Sequence, residues 1–148
     1  MNHRTLFLLG LLLSGCESLA PSPRREVLLP TRATPGGTAL LFKSALDSGR
    51  IADALFLLGT ESGTPLPAIE RYELLPELER LERLVARQPV TLLRVDTLDP
   101  KRAVVWLEAD YLHTLSFLLC RRDSLWVIAR LEYLPWRRPA VLIFPPPD

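Results

Sequence analysis

Pro89 divides the chain by period. From Gly37 to that point apolar residues recur at helical spacing; beyond it they recur in short runs separated by turns. A helix buries a stripe that repeats every 3.6 residues, a strand every second side chain. A chain that changes period once and never changes back keeps its helices together and its strands together. That predicts an α+β fold with N-terminal helices packed on a sheet. At 148 residues the chain suits a single domain.

Four strands are expected, over 90–97, 103–109, 114–121 and 125–133. Asp99-Pro100-Lys101 and Arg122-Asp123 mark turns between them. Connections this short make a four-stranded antiparallel meander. Val104-Val105-Trp106-Leu107 and Phe117-Leu118-Leu119-Cys120 are apolar on both faces. One face can pack on the helices. The other calls for a cover, either a second copy of the chain in a homodimer or the C-terminal tail.

The helices read less evenly. Thr38 is the expected N-cap of the first, with Ala39, Phe42, Ala45 and Leu46 inward. Asp47-Ser48-Gly49 should end it, with Gly49 in the left-handed position. A second helix over 50–58 would turn Ile51, Ala52, Leu55 and Leu58 inward, and 59–67 is a loop. The third, over 68–87, carries Ile69, Tyr72, Leu75, Leu78, Leu81, Leu84 and Val85 as one stripe. Pro76 should kink or restart it. Glu77, Glu79, Arg80, Glu82 and Arg83 form its solvated face.

The first twenty residues are of another kind. Leu6 to Leu13 is an apolar run interrupted by Gly10, far shorter than the about 20 residues of a spanning helix. It is followed by Leu13-Ser14-Gly15-Cys16. This resembles the lipobox of bacterial lipoproteins. The resemblance implies that residues 1–15 are a signal peptide, cut after Gly15, and that Cys16 takes a diacylglycerol thioether. Two or three acyl chains anchor a protein stably where one would not. The implied place is the cell envelope, lipid-anchored and extracytoplasmic, with membrane lipid as the first partner. Residue 17 is Glu rather than Asp, which by resemblance to enteric sorting points to the periplasmic face of the outer membrane in a Gram-negative host.

Residues 16–36 follow as a tether holding Pro21, Pro23, Pro30, Pro35, Arg24, Arg25 and Arg32. In polyproline geometry twenty such residues reach roughly 60 Å. The folded domain is expected over 37–134. Residues 135–148 form a Pro-rich tail in which Ala140-Val141-Leu142-Ile143-Phe144 could add an edge strand. Trp136-Arg137-Arg138 reads most simply as a solvated turn carrying one packed Trp, the alternative being contact with phospholipid headgroups.

Composition narrows the function. Eighteen Lys and Arg balance seventeen Asp and Glu, and loss of Arg4 with the signal peptide takes the formal charge from +1 to zero. Nothing in that balance attracts nucleic acid. Past Cys16 the sole cysteine is Cys120, which reads as a buried small hydrophobe. His113 is the sole histidine of the mature chain, so no metal site is expected. Neither a phosphate-binding Gly loop nor a Gly-x-Ser-x-Gly elbow is present, and no cofactor is expected.

Two stretches carry a second resemblance. Phe42-Lys43-Ser44-Ala45-Leu46-Asp47-Ser48-Gly49-Arg50-Ile51-Ala52-Asp53-Ala54-Leu55 and Arg122-Asp123-Ser124-Leu125-Trp126-Val127-Ile128 resemble the opening helices and closing hairpin of the nuclear-transport-factor-two-like superfamily. Within it, the chain is most similar to small bacterial lipoproteins with a lumazine-binding-like domain of unknown function. Ser124 stands where that hairpin usually has Gly, a change a type I turn tolerates. The resemblance implies a cystatin-like, cone-shaped α+β domain over about 38–134. It carries over no catalytic residue. Some superfamily members are isomerases or dehydratases, which need a base and an oxyanion donor converging in a dry pocket. Asp110, Tyr111 and His113 are the candidates here, although neighbours on a strand point to opposite faces. The resulting expectation is a non-catalytic lipoprotein with a binding or envelope-assembly role, its partner an envelope protein or a second copy. The alternative is a small-molecule-binding or isomerase-like protein using the cone pocket.

Overall fold

Thr34, not Thr38, opens the first helix. In the computed structural model, which describes residues 29–135, the Thr34 hydroxyl accepts from the Gly37 amide at 3.1 Å, and Pro35 takes the first helical position of α1 (Pro35–Asp47). A proline loses nothing there, because that N–H has no partner within the helix. Thr38 lies one turn inside, its hydroxyl donating to the Thr34 carbonyl at 2.9 Å. Gly36-Gly37 therefore belongs to the helix. A Cβ on Gly37 would fall 2.5 Å from the Thr31 carbonyl oxygen and 2.7 Å from that of Leu29, so the glycine lets the incoming chain lie against α1.

That incoming chain is held at its other side too. The Trp126 amide donates to the Arg32 carbonyl at 2.9 Å, and Arg32 Nε reaches back to the Trp126 carbonyl at 3.4 Å. The stretch before α1 is thus fastened to the last strand from Arg32 onward.

Gly49 ends α1 at φ +67°, as its sequence predicts. The α2 helix (Ile51–Phe56) is one and a half turns long and buries Ala54 and Leu55, leaving Ala52 exposed. The α3 helix (Ala68–Val85) runs through Pro76. Its packing on α1 and α2 pivots on Leu78, Leu81 and Val85. Upstream of Leu75 the expected stripe faces solvent, with Ile69 64 % and Tyr72 73 % exposed.

The sheet comprises β1 (Val90–Asp99), β2 (Arg102–Ala109), β3 (His113–Arg122) and β4 (Leu125–Pro135). It is the expected meander, antiparallel throughout in the order β1-β2-β3-β4. Ala103, Val105, Leu107, Leu115, Phe117 and Leu119 point to the helices and are fully buried. Phe42 of α1 meets Phe117 edge-on, centroids 5.5 Å apart, an arrangement aromatic quadrupoles favour. The opposite face is mixed. Val104, Trp106 and Leu118 are half-buried there, and the Arg94 guanidinium lies 5.1 Å from the Trp106 ring centroid.

The turns show how little glycine this sheet needs. Asp99 Oδ1 accepts from the Lys101 amide at 2.8 Å in the first. Asp110 and Tyr111, at φ 52° and 59°, form the second, closed by the Leu112 amide on the Ala109 carbonyl at 3.2 Å. In the third, Asp123 stands at φ 55°. A type I turn has negative φ there, so the closing hairpin is not the type I turn anticipated. The left-handed residue is the aspartate, which tolerates that region better than most.

One charge is buried in the core. Lys43 of α1 is 2 % exposed. Its ammonium is paired with Asp47 one turn on and donates to the Gln88 carbonyl at 2.8 Å. Asp47 also accepts from the Arg87 amide at 2.7 Å, and Arg87 is held at φ 63°. The Lys43–Asp47 pair therefore ties α1 to the link between α3 and β1.

Among the described residues no helix is long and apolar enough to cross a membrane. Cys16 and its lipobox, the tether up to residue 28, Trp136-Arg137-Arg138 and the apolar run 140–144 lie outside the described residues.

Candidate functional site

The three residues singled out for chemistry do not converge. Asp110 and Tyr111 are the turn between β2 and β3, and Tyr111 is 72 % exposed. Their backbone amides, not their side chains, are engaged: Asp110 donates to the Pro89 carbonyl at 2.9 Å and Tyr111 to Thr91 Oγ1 at 3.3 Å. His113 starts β3 and is engaged with β4. Its Nδ1 lies 2.7 Å from the Tyr133 hydroxyl, with the two rings stacked at 5.8 Å. Both left-handed residues of the turn serve chain reversal.

A mainly apolar concave feature lies elsewhere, between α3 and β4. Three local arrangements make it. Leaving α2, the chain pairs briefly with β4: Ile128 donates to the Leu57 carbonyl and Gly59 to the Ile128 carbonyl, both at 2.9 Å. The loop after it folds tightly, since a Cβ on Gly59 would fall 2.6 Å from the Thr64 carbonyl oxygen and 2.9 Å from Val127 Cγ2. The chain then reverses into α3 beyond Pro67. The third element is a bulge. Ile128 pairs with Leu119 but Arg130 pairs with Leu118, leaving Ala129 as an extra residue. An extra residue resets which side chains face inward. It places Leu131 opposite Phe117 and Tyr133 opposite Leu115, on the helix side of the sheet.

The result is a groove of about 570 Å³. Its helix side is Leu58, Leu66, Leu74, Leu78, Leu81 and Leu84; its sheet side is Ile128, Ala129, Leu131 and Tyr133; Glu70, Glu77, Arg80 and Arg130 complete the lining. The lining is mainly apolar with charges of both signs, the make-up common to ligand sites. Tyr133 brings its hydroxyl, already committed to His113, to this groove.

Two other groups are electrostatically distinct. The Arg102 guanidinium beside Asp99, helped by the Lys101 amide, holds the Asp99 carboxyl below its usual range. Burial pushes the Cys120 thiol up, which works against the thiolate form. Among the described residues no three His, Cys, Asp or Glu side chains group as a metal site.

Leu66, Leu74, Leu131 and Tyr133 are groove residues that sequence periodicity passed over. The available signals were Leu74 beside Leu75, which widens the α3 stripe, and the loss of alternation after Ile128. No family model matches the chain, and no curated protein or solved structure matches it either.

Proposed function

We propose that this chain is an extracytoplasmic lipoprotein, held in the cell envelope through acylated Cys16, whose α+β domain is a non-catalytic binding module that uses the α3–β4 groove. The order of an apolar run, Leu13-Ser14-Gly15 and Cys16 carries the anchoring. The groove supports binding, and the scattering of Asp110, Tyr111 and His113 argues against acid–base work. In a Gram-negative host the reading places it on the periplasmic face of the outer membrane, acting on a ligand or an envelope partner rather than on nucleic acid.

The test is the native mass of the full chain extracted gently from bacterial membranes, beside a Cys16→Ser variant. The expected mass is that of a chain beginning at Cys16 plus its acyl chains, with the variant unacylated. An unacylated wild-type mass refutes the anchor. An additional small mass released on unfolding would make the groove a ligand site. The isomerase-like reading keeps one point of support, the Tyr133–His113 hydrogen bond beside the groove. Turnover of a substrate that Tyr133→Phe abolishes would establish it.

A further inference from the structure

The outer edge of β4 is divided in two. Along its first half Arg32, Leu57 and Gly59 take up the backbone groups of Trp126 and Ile128. Beyond the Ala129 bulge, over 130–135, β4 pairs with β3 on one side, and its other side has no backbone partner among the described residues. A bare edge of this kind is a template for another strand. It also borders the groove, whose sheet side includes Leu131 and Tyr133.

The chain continues from this place. Pro135 ends β4, four residues follow, and then comes Ala140-Val141-Leu142-Ile143-Phe144 before Pro145. A four-residue connection is an ordinary hairpin loop. It would set residue 140 opposite Pro135, 142 opposite Tyr133 and 144 opposite Leu131. Residues directly opposite share a face, so Leu142 and Phe144 would enter the groove, while Val141 and Ile143 would join Leu134 and Glu132 outside. The lengths agree at the far end too. Pro145, which has no amide to donate, would reach Arg130, next to the bulge where the first, occupied half of the edge ends. Arg137 and Arg138 are opposite in sign to the groove residues Glu70 and Glu77.

We propose that residues 140–144 form a fifth strand, antiparallel to β4, that fills the α3–β4 groove with Leu142 and Phe144. The occupant is the protein's own C-terminal segment. A ligand or partner that uses the groove must displace this strand. The inference rests on the groove being the binding surface proposed above but not on the anchor, so the mass measurement and the test below can fail separately.

The test uses the full chain in membranes carrying Glu132→Cys with Ile143→Cys, both outside the groove. Opposed strand positions lie within disulfide reach. After mild oxidation the expected product is a monomer lighter by two hydrogens. Glu132→Cys with Val141→Cys, two residues out of register, should form it at least about tenfold more slowly. A disulfide-linked dimer would mean that the strand comes from a second copy. A bond between Trp106→Cys and Ile143→Cys would mean that the tail covers the other face of the sheet. Either result, or no disulfide at all, overturns the proposal. Amide exchange on the unsubstituted chain is the independent check. Paired amides within 140–144 should exchange about two orders of magnitude more slowly than in an unfolded chain; unprotected exchange overturns it as well.

Discussion

Replacing Asp47 by alanine should cost the domain about 3.5–4 kcal/mol. The substitution leaves the Lys43 ammonium, 2 % exposed, with the Gln88 carbonyl as its one remaining partner from the network. Removing one member of a buried ion pair costs about 3–5 kcal/mol. Asp47 is itself 36 % exposed, so water replaces part of what it supplied and the lower end applies. The Arg87 amide also loses its acceptor, at a residue held in the left-handed region, which adds about 0.5–1 kcal/mol. Lys43→Met acts differently. It removes the charge along with its partner's role, leaves Asp47 free to meet water, and orphans one carbonyl, for about 1 kcal/mol. The double variant should therefore be more stable than Asp47→Ala alone, by about 1–2 kcal/mol. Urea unfolding of the chain from residue 17, at a common slope, gives all four stabilities. The Asp47→Ala melting temperature should fall by roughly 15 °C. A loss under about 1 kcal/mol, or a double variant no more stable than Asp47→Ala, would refute the claim that the buried ammonium sets the cost.

Gly59→Ala should destabilise by about 1–3 kcal/mol, because its Cβ would meet the Thr64 carbonyl oxygen at 2.6 Å; an unchanged urea midpoint would show that the loop yields. Asp99 gives an acid-side signature. Its carboxyl is held below the usual carboxylate range, first by Arg102 and then by the Lys101 amide. A carboxyl lowered by folding stabilises the fold above its unfolded value, and this is lost as pH falls through the folded one. Asp99→Asn should therefore flatten the stability–pH curve below pH 3.8 while leaving its shape at neutral pH unchanged. Parallel curves for the two proteins would contradict the assignment.

Where the fold was legible, the deciding signals were local. The single change of period at Pro89 sufficed for α+β, and short turns sufficed for a meander. Gly49 gave its own conformation away, since a left-handed helix end is what glycine does at least cost. The first helix was misplaced because Pro35-Gly36-Gly37 looks like linker. Those glycines serve a close approach by Thr31 and Leu29, a contact between segments that no spacing rule contains. Ile69 and Tyr72 fit the helical period and still face solvent, because period fixes which residues share a face and not how far the neighbouring elements extend. The groove was the least legible part. Its walls come from α3 and β4, about fifty residues apart in the chain, and one bulge at Ala129 decides which side of β4 it sees. Asp110, Tyr111 and His113 drew attention as adjacent polar residues. Two of them were the turn itself.

The fastening of Arg32 to Trp126 sets a mechanical limit on the proposed anchor. At most the seventeen residues from Cys16 to Arg32 can serve as leash, and fully extended their sixteen steps span at most about 55 Å. The domain can therefore sample a shell of that thickness above the lipid surface and no more. A pull along the leash reaches β4 at Trp126, through the backbone bond from its amide to the Arg32 carbonyl. Tension on the lipid would be shared between that bond and the close approach of Leu29 and Thr31 to α1 at Gly37, so the sheet and the first helix would take up the load together.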